Sequence, residues 1–244
     1  MAKSSDRRTF LKQAAGLAGT ASLGLPTLAA DAVAAPTDTP RADGTLPRAP
    51  TAYHTLAPDE AAFVEALVDV MCPPDELTPS GVDCGLALGI DRLLASAWGR
   101  GEGRYLRGPF RQGKPQHGWQ SPMTPEQLCK AGISTARAAC LRRLGREFAE
   151  LGAVEADRFL QQVQAGEHED DASLSLAMWF NELVYPLFTR ACFADPMYGG
   201  NRGKVFWKMI GYPGLPAAYG IDMVRYRGKP HPRATEPKSI EDLG

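Results

Sequence analysis

Four histidines, five cysteines and one acidic run are the residues through which this chain of 244 residues would do chemistry. His54, His117, His168 and His231 are the acid–base candidates, since imidazole alone titrates near neutral pH without help. His54 and His231 fall in expected tails. His168 lies inside the acidic string Glu167-His168-Glu169-Asp170-Asp171, so only His117, in a glycine-rich stretch, stands where a pocket would form. Contiguous carboxylates in a loop read as a solvated face rather than as a metal's ligand set. The cysteines, Cys72, Cys84, Cys129, Cys140 and Cys192, make neither C-x-x-C nor C-x-x-C-H, so no zinc knuckle or covalent c-type haem is signalled. Most fall on apolar helix faces, which predicts burial as small apolar groups.

Residues 99–123 mix six glycines with Arg100, Arg104, Arg107, Arg111 and Lys114, and set Tyr105, Phe110 and Trp119 between them. A glycine-rich basic stretch suggests a phosphate cradle, but G-x-G-x-x-G and G-K-[ST] are missing and no strand leads in. The expectation is a long ordered surface loop, pinned by its aromatics and used for contact. Overall charge is −1, with no basic stripe to hold a phosphate backbone, so nucleic acid is not an expected partner.

Another pair is chemically informative. Arg7-Arg8 sits in Ser5-Asp6-Arg7-Arg8-Thr9-Phe10-Leu11-Lys12, followed by a weakly apolar stretch and by Ala32-Val33-Ala34. Basic head, apolar middle and small-residue cleavage site make a secretory leader, and the paired arginines place it in the twin-arginine class. Residues 1–34 are therefore read as a cleavable twin-arginine signal peptide and residues 35–55, rich in proline, as a flexible linker.

The elements that position the rest read as helices. Pro58 stands at a first helical position with Asp59 and Glu60 behind it, and Pro73-Pro74 ends that helix. A second helix is expected over 85–98. Thr124-Pro125-Glu126-Gln127 is a capping box opening a longer one, whose apolar period continues through Leu144 and Phe148 to Leu151. Helices at 154–165 and 173–193 follow. Period-two alternation is nowhere sustained, so the fold class is mainly α: one small helical domain over 56–226 with long ordered glycine-rich loops, and a C-terminal tail at 227–244. The longest apolar run after the leader, 174–188, is broken by Asn181, Glu182 and Pro186, so no membrane span is expected once the signal is removed.

Asp195-Pro196 opens a turn, and Gly199-Gly200-Asn201 supplies residues that accept positive φ. With Tyr198, Phe206, Trp207 and Tyr212 alongside, and Gly211, Pro213 and Gly214 closing a second turn, residues 193–214 read as a rigid aromatic knot. This string resembles the signature of the gluconate 2-dehydrogenase subunit 3 family. Met71-Cys72-Pro73-Pro74-Asp75-Glu76-Leu77-Thr78-Pro79 is similar to the family's I-P-x-D-x-x-T-P stretch, and Ile90-Asp91-Arg92 to its I-D helix. Gly108-Pro109-Phe110, Gly118-Trp119-Gln120 and Thr124-Pro125 resemble its glycine-rich loop and the helix start after it. The chain departs from the pattern at Cys72, at Val205-Phe206 before Trp207, and at Arg202-Gly203-Lys204 after the asparagine.

The resemblance implies a helical small subunit without a catalytic residue, cofactor or metal of its own. It implies FAD and catalysis in a large dehydrogenase partner, with a c-type cytochrome subunit, where present, taking the electrons. The expected location is periplasmic, reached through the twin-arginine translocase, with any peripheral hold on the inner membrane made through the complex. Arg7 and Arg8 would be read by the translocase. Asp195, Pro196, Tyr198, Gly199, Gly200, Asn201, Trp207, Gly211, Pro213 and Gly214 would form the partner interface, or close the helical core. Two other readings stay open on the sequence: an enzyme in its own right, and a free-standing periplasmic binding protein.

Overall fold

The computed structural model describes residues 52–111, 113–114, 117–118, 120–168, 174–215 and 219–243. Arg7, Arg8, the leader, most of the linker, Trp119 and Glu169, Asp170 and Asp171 lie outside the described residues. Within them the backbone is helix and loop with one isolated parallel bridge, Gly214 to Lys238.

Helix α1, Pro58–Met71, starts at its proline, where a missing N–H costs nothing. The Glu60 carboxylate accepts the Ala57 N–H at 2.9 Å, and Phe63, Val64, Leu67 and Val68 face inward. Helix α2, Leu86–Ala95, follows Gly85 in the left-handed region and buries Leu86, Ile90 and Leu94. Its Asp91 is fully buried. It accepts the N–H groups of His54 (2.7 Å), Thr55 (2.9 Å) and Leu56 (3.0 Å), tying the first ordered residues onto the core. His54 thus belongs to a clamped entry strand of chain rather than to a loose tail.

Helix α3, Pro125–Leu144, opens with the expected reciprocal cap between Thr124 and Gln127. It ends earlier than the apolar period suggests. Gly145 turns left-handed (φ 69°), and Phe148 swings inward on a separate 3-10 turn, Phe148–Glu150, to meet Phe63 (ring centroids 4.8 Å) and Phe159 (5.7 Å). A periodic apolar residue can be delivered to the core by a turn as well as by a helix. Helix α4, Ala153–Ala165, buries Phe159, Leu160 and Val163.

The last core rod is α5, Leu176–Trp179, then a π turn, Phe180–Val184, then α6, Tyr185–Phe193. The ladder widens where Pro186, which has no N–H to donate, enters it. Trp179 packs against Gly132 of α3, where any Cβ would overlap the indole. All five cysteines are buried, as their apolar surroundings predict, and none is in a disulfide. Burial pushes the Cys129 thiol up to about 12 and Cys140 up to about 11.

Two expectations about exposure fail. His168 is buried against Phe159 (4.8 Å between rings) instead of standing in solvent. Tyr105 does not pin the glycine-rich loop, since it is 79% exposed. Backbone and a cation hold the loop's entrance instead: Gly99 accepts the Glu126 N–H at 3.0 Å, and Arg190 lies over Trp98. No helix among the described residues is long and apolar enough to cross a membrane.

Candidate functional site

After α6 the chain makes two 3-10 turns, Pro196–Tyr198 and Arg202–Lys204, before α7, Val205–Ile210. Asp195 builds the first. One carboxylate oxygen accepts the Met197 N–H at 3.1 Å, and the other accepts the Ile240 N–H at 2.9 Å from the far end of the chain. Pro196 is buried at the first turn position, where its fixed φ suits the bend. Gly199 (φ 98°) and Asn201 (φ 50°) take the left-handed region as expected.

Gly200 is required for a different reason. It passes so close to α6 that a Cβ would overlap the Ala191 carbonyl oxygen. Asn201 is fully buried, and its amide spans the turn: Nδ2 donates to Ala194 O at 3.2 Å, while Oδ1 accepts the Phe206 N–H at 3.0 Å. One side chain therefore satisfies the last turn of α6 and the first of α7, where backbone groups otherwise go unpaired. Trp207 is buried and donates Nε1 to Phe193 O at 2.8 Å. Gly211 (φ 73°) ends α7 in the left-handed region. Pro213 O accepts the Lys238 N–H at 3.2 Å, and Gly214 (φ 72°) leaves no room for a Cβ against the Lys238 carbonyl.

The predicted residues are thus brought together, but they divide. Asn201, Gly199, Gly200, Trp207 and Gly214 face inward and lock the turn. Tyr198 (50% exposed) and Met197 (40%) face outward on it. The turn is fixed underneath by α2, where Arg92 donates to Met197 O at 3.2 Å, and by the loop before it, where Cys84 O accepts the Arg202 N–H at 3.0 Å. The result is a rigid platform presenting an aromatic ring and a thioether, with Asp195 and Lys204 committed to holding shape.

Beyond α7 the chain forms α8, Gly220–Arg225, and then returns. Residues 227–243 are a tail in position but not in behaviour. Leu215 N–H donates to Lys238 O at 2.8 Å, Ser239 is fully buried, and Lys204 pairs with Asp242. His231 also has a settled place. Its ring meets Tyr226 (4.8 Å) and Tyr219 (6.3 Å) edge-on, and its Nε2 lies 3.4 Å from Asp222. Edge-on contacts continue from Tyr219 through Tyr212 to Trp207, linking the tail to the turn.

Between α7 and α8 lies an open cleft of about 650 Å³, lined among others by Met209, Ile210, Tyr219, Met223, Tyr226 and His231. Sequence reasoning passed over it because its apolar residues are spread among charges with no period. The four histidines sit on separate elements, and no group of three or more metal-ligating side chains gathers among the described residues.

A model of the family described as gluconate 2-dehydrogenase subunit 3 matches residues 58–214, from the first residue of α1 to the close of the second turn. No curated protein and no solved structure matches the chain. The matched span holds the core helices and both turns, and with it the conclusion that this chain belongs to the gluconate 2-dehydrogenase subunit 3 family.

Proposed function

We propose that this chain is the non-catalytic small subunit of an exported, FAD-dependent, gluconate 2-dehydrogenase-like complex. It supplies the twin-arginine signal through Arg7 and Arg8 and stabilises the large flavoprotein, which holds the FAD and the chemistry. Membership of a family named as a subunit carries the reading. The rigid turn supports it, because an interface centre favours aromatics that lose little freedom on binding, and Tyr198 is held on such a frame. The interface includes Tyr198 and Met197 directly, whereas Asp195, Pro196, Gly199, Gly200, Asn201, Trp207, Gly211, Pro213 and Gly214 shape it from behind. A c-type cytochrome, where the complex has one, completes the route for electrons.

The test is export. Arg7→Lys with Arg8→Lys keeps both charges but removes the guanidinium pair. Both this chain and its flavoprotein partner are then expected in the cytoplasm, and a partner that still reaches the periplasm would end the escort idea. The cleft between α7 and α8 favours a second reading, a periplasmic binding protein. In that case the mature chain would be recovered from the periplasm without a flavoprotein and would take a small solute by calorimetry.

A further inference from the structure

The loop between α1 and α2 folds back sharply on the end of α1. Gly81 presses on the Val68 carbonyl, where no Cβ would fit, its N–H donates to Cys72 O at 2.9 Å, and the Val82 N–H donates to Asp69 at 2.8 Å. This return lays Cys84 beside Cys72. Both thiols reach the same acceptor, the Pro79 carbonyl oxygen, at 3.8 Å from Cys72 and 3.7 Å from Cys84. The neighbouring Cys72 thiol, and then burial, hold the Cys84 thiol far above the ordinary range. Two buried thiols on one oxygen gain little as hydrogen-bonding partners, since a thiol is a weak donor.

We propose that Cys72 and Cys84 are a dithiol that closes to a disulfide when the folded chain meets an oxidising thiol–disulfide couple. In closing, two S–H bonds break and one S–S bond forms. Two protons leave to solvent, and two electrons reduce the disulfide of the oxidant, such as oxidised glutathione, to two thiols. Entry for the oxidant is through the cover, since Pro73, Pro74, Asp75, Glu76 and Leu77 above the pair are all exposed. The bond joins the end of α1 to the residue before Gly85, which packs against the Gly199 carbonyl. Cys84 O already accepts from Arg202, so the staple lies directly under the turn that carries Tyr198. Its physiological oxidant rests on the export reading above, because such couples belong to compartments outside the cytoplasm.

The purified chain, reduced and then freed of reductant, is incubated folded with oxidised glutathione at about pH 8 over minutes to hours, the time that uncatalysed disulfide exchange takes. It is then unfolded in acid, alkylated, digested and weighed. The expected product has lost two hydrogens and yields a cross-linked peptide joining Cys72 to Cys84, with Cys129 and Cys140 alkylated. Cys72 and Cys84 both alkylated at every oxidant concentration, or either joined to Cys192 instead, would overturn the pair. This arm is independent of where the chain resides in the cell. A pair that closes in the tube but is isolated reduced from cells therefore counts against export and leaves the dithiol standing.

Discussion

The turn at 195–204 and the cleft between α7 and α8 are neighbours in the chain, yet they are built on opposite terms. In the turn the Asp195 carboxylate and the Asn201 amide have committed partners, Gly200 leaves no space for a methyl group, and the fully buried Asn201 closes it. In the cleft the side chains are exposed and soft: Met209 is 37% exposed, Ile210 57% and Met223 72%. Residues that define a family pattern are therefore not automatically those that touch a partner. Most of this signature is devoted to holding a shape, and the surface it holds out is small, chiefly Tyr198 and Met197. Adaptable contact area lies beside it, where methionines and long aliphatic chains repack at low cost.

The largest effect expected from this contrast is at Gly200. Gly200→Val drives side-chain atoms into the Ala191 carbonyl of α6, and backbone cannot yield there as a flexible side chain does. A loss of more than about 4 kcal/mol is expected, enough to leave the chain insoluble or unfolded. A soluble variant with wild-type circular dichroism and melting would show that the turn is far looser than its contacts imply.

Next in size is Asn201→Ala. It strips the partner from the Phe206 N–H and from the Ala194 carbonyl in a buried site, at a cost of about 1–3 kcal/mol to the free subunit. Denaturant unfolding of the chain alone measures it. By contrast Tyr198→Ala should change free-subunit stability by no more than about 0.5 kcal/mol, as exposed substitutions do, while weakening capture of the flavoprotein by about 1–3 kcal/mol. The two variants separate scaffold from surface. Equal loss of stability in both, with normal capture, would make the whole segment scaffold and move the interface to the cleft.

The sequence legibility of these regions differs for physical reasons. Starts and stops written in covalent geometry are readable: Pro58 and Pro73-Pro74 bound α1, and the Thr124 cap opens α3, because proline and capping side chains act locally. Burial of the five cysteines was legible from apolar periodicity. The end of α3 was not, since Gly145 interrupts a period that Phe148 continues from a separate turn. His168 looked solvated because its neighbours in sequence are acidic, but Phe159, a turn of helix and a loop away, decides its surroundings. Within the signature itself, composition marks Asn201 and Tyr198 alike. Which of them faces inward depends on the approach of α6 and α2, and those are long-range contacts. The anchoring of 227–243 was the least legible, as it rests on backbone pairing between Gly214 and Lys238, on the Lys204–Asp242 ion pair and on the Ile240 N–H to Asp195, long-range contacts that leave no period in side-chain type.

That ion pair sets the smallest of the expected effects and bears on how the tail belongs to the turn rather than to the cleft. Asp242 accepts the Ser239 N–H at 2.7 Å and the Ser239 hydroxyl at 3.1 Å, and it pairs with Lys204, which itself sits in the left-handed region of the turn. The Lys204 hydrogen bond first, and then the Ser239 N–H, lower the carboxyl to about 2 from an ordinary 3.8. A group whose folded pKa is depressed stabilises above its unfolded value and loses that contribution as pH falls through the folded one. The latch is therefore complete above about pH 4 and released progressively toward about pH 2. Both partners border solvent, so the contribution is small and screened by salt. Amide exchange of Ser239, followed from pH 5 downward and corrected for the intrinsic rate, should lose protection over that window while the core helices keep theirs. Lys204→Met should show the same loss at neutral pH. If protection at Ser239 survives the substitution, the bridge between Gly214 and Lys238 and the Asp195 contact to the Ile240 N–H hold the tail without the ion pair.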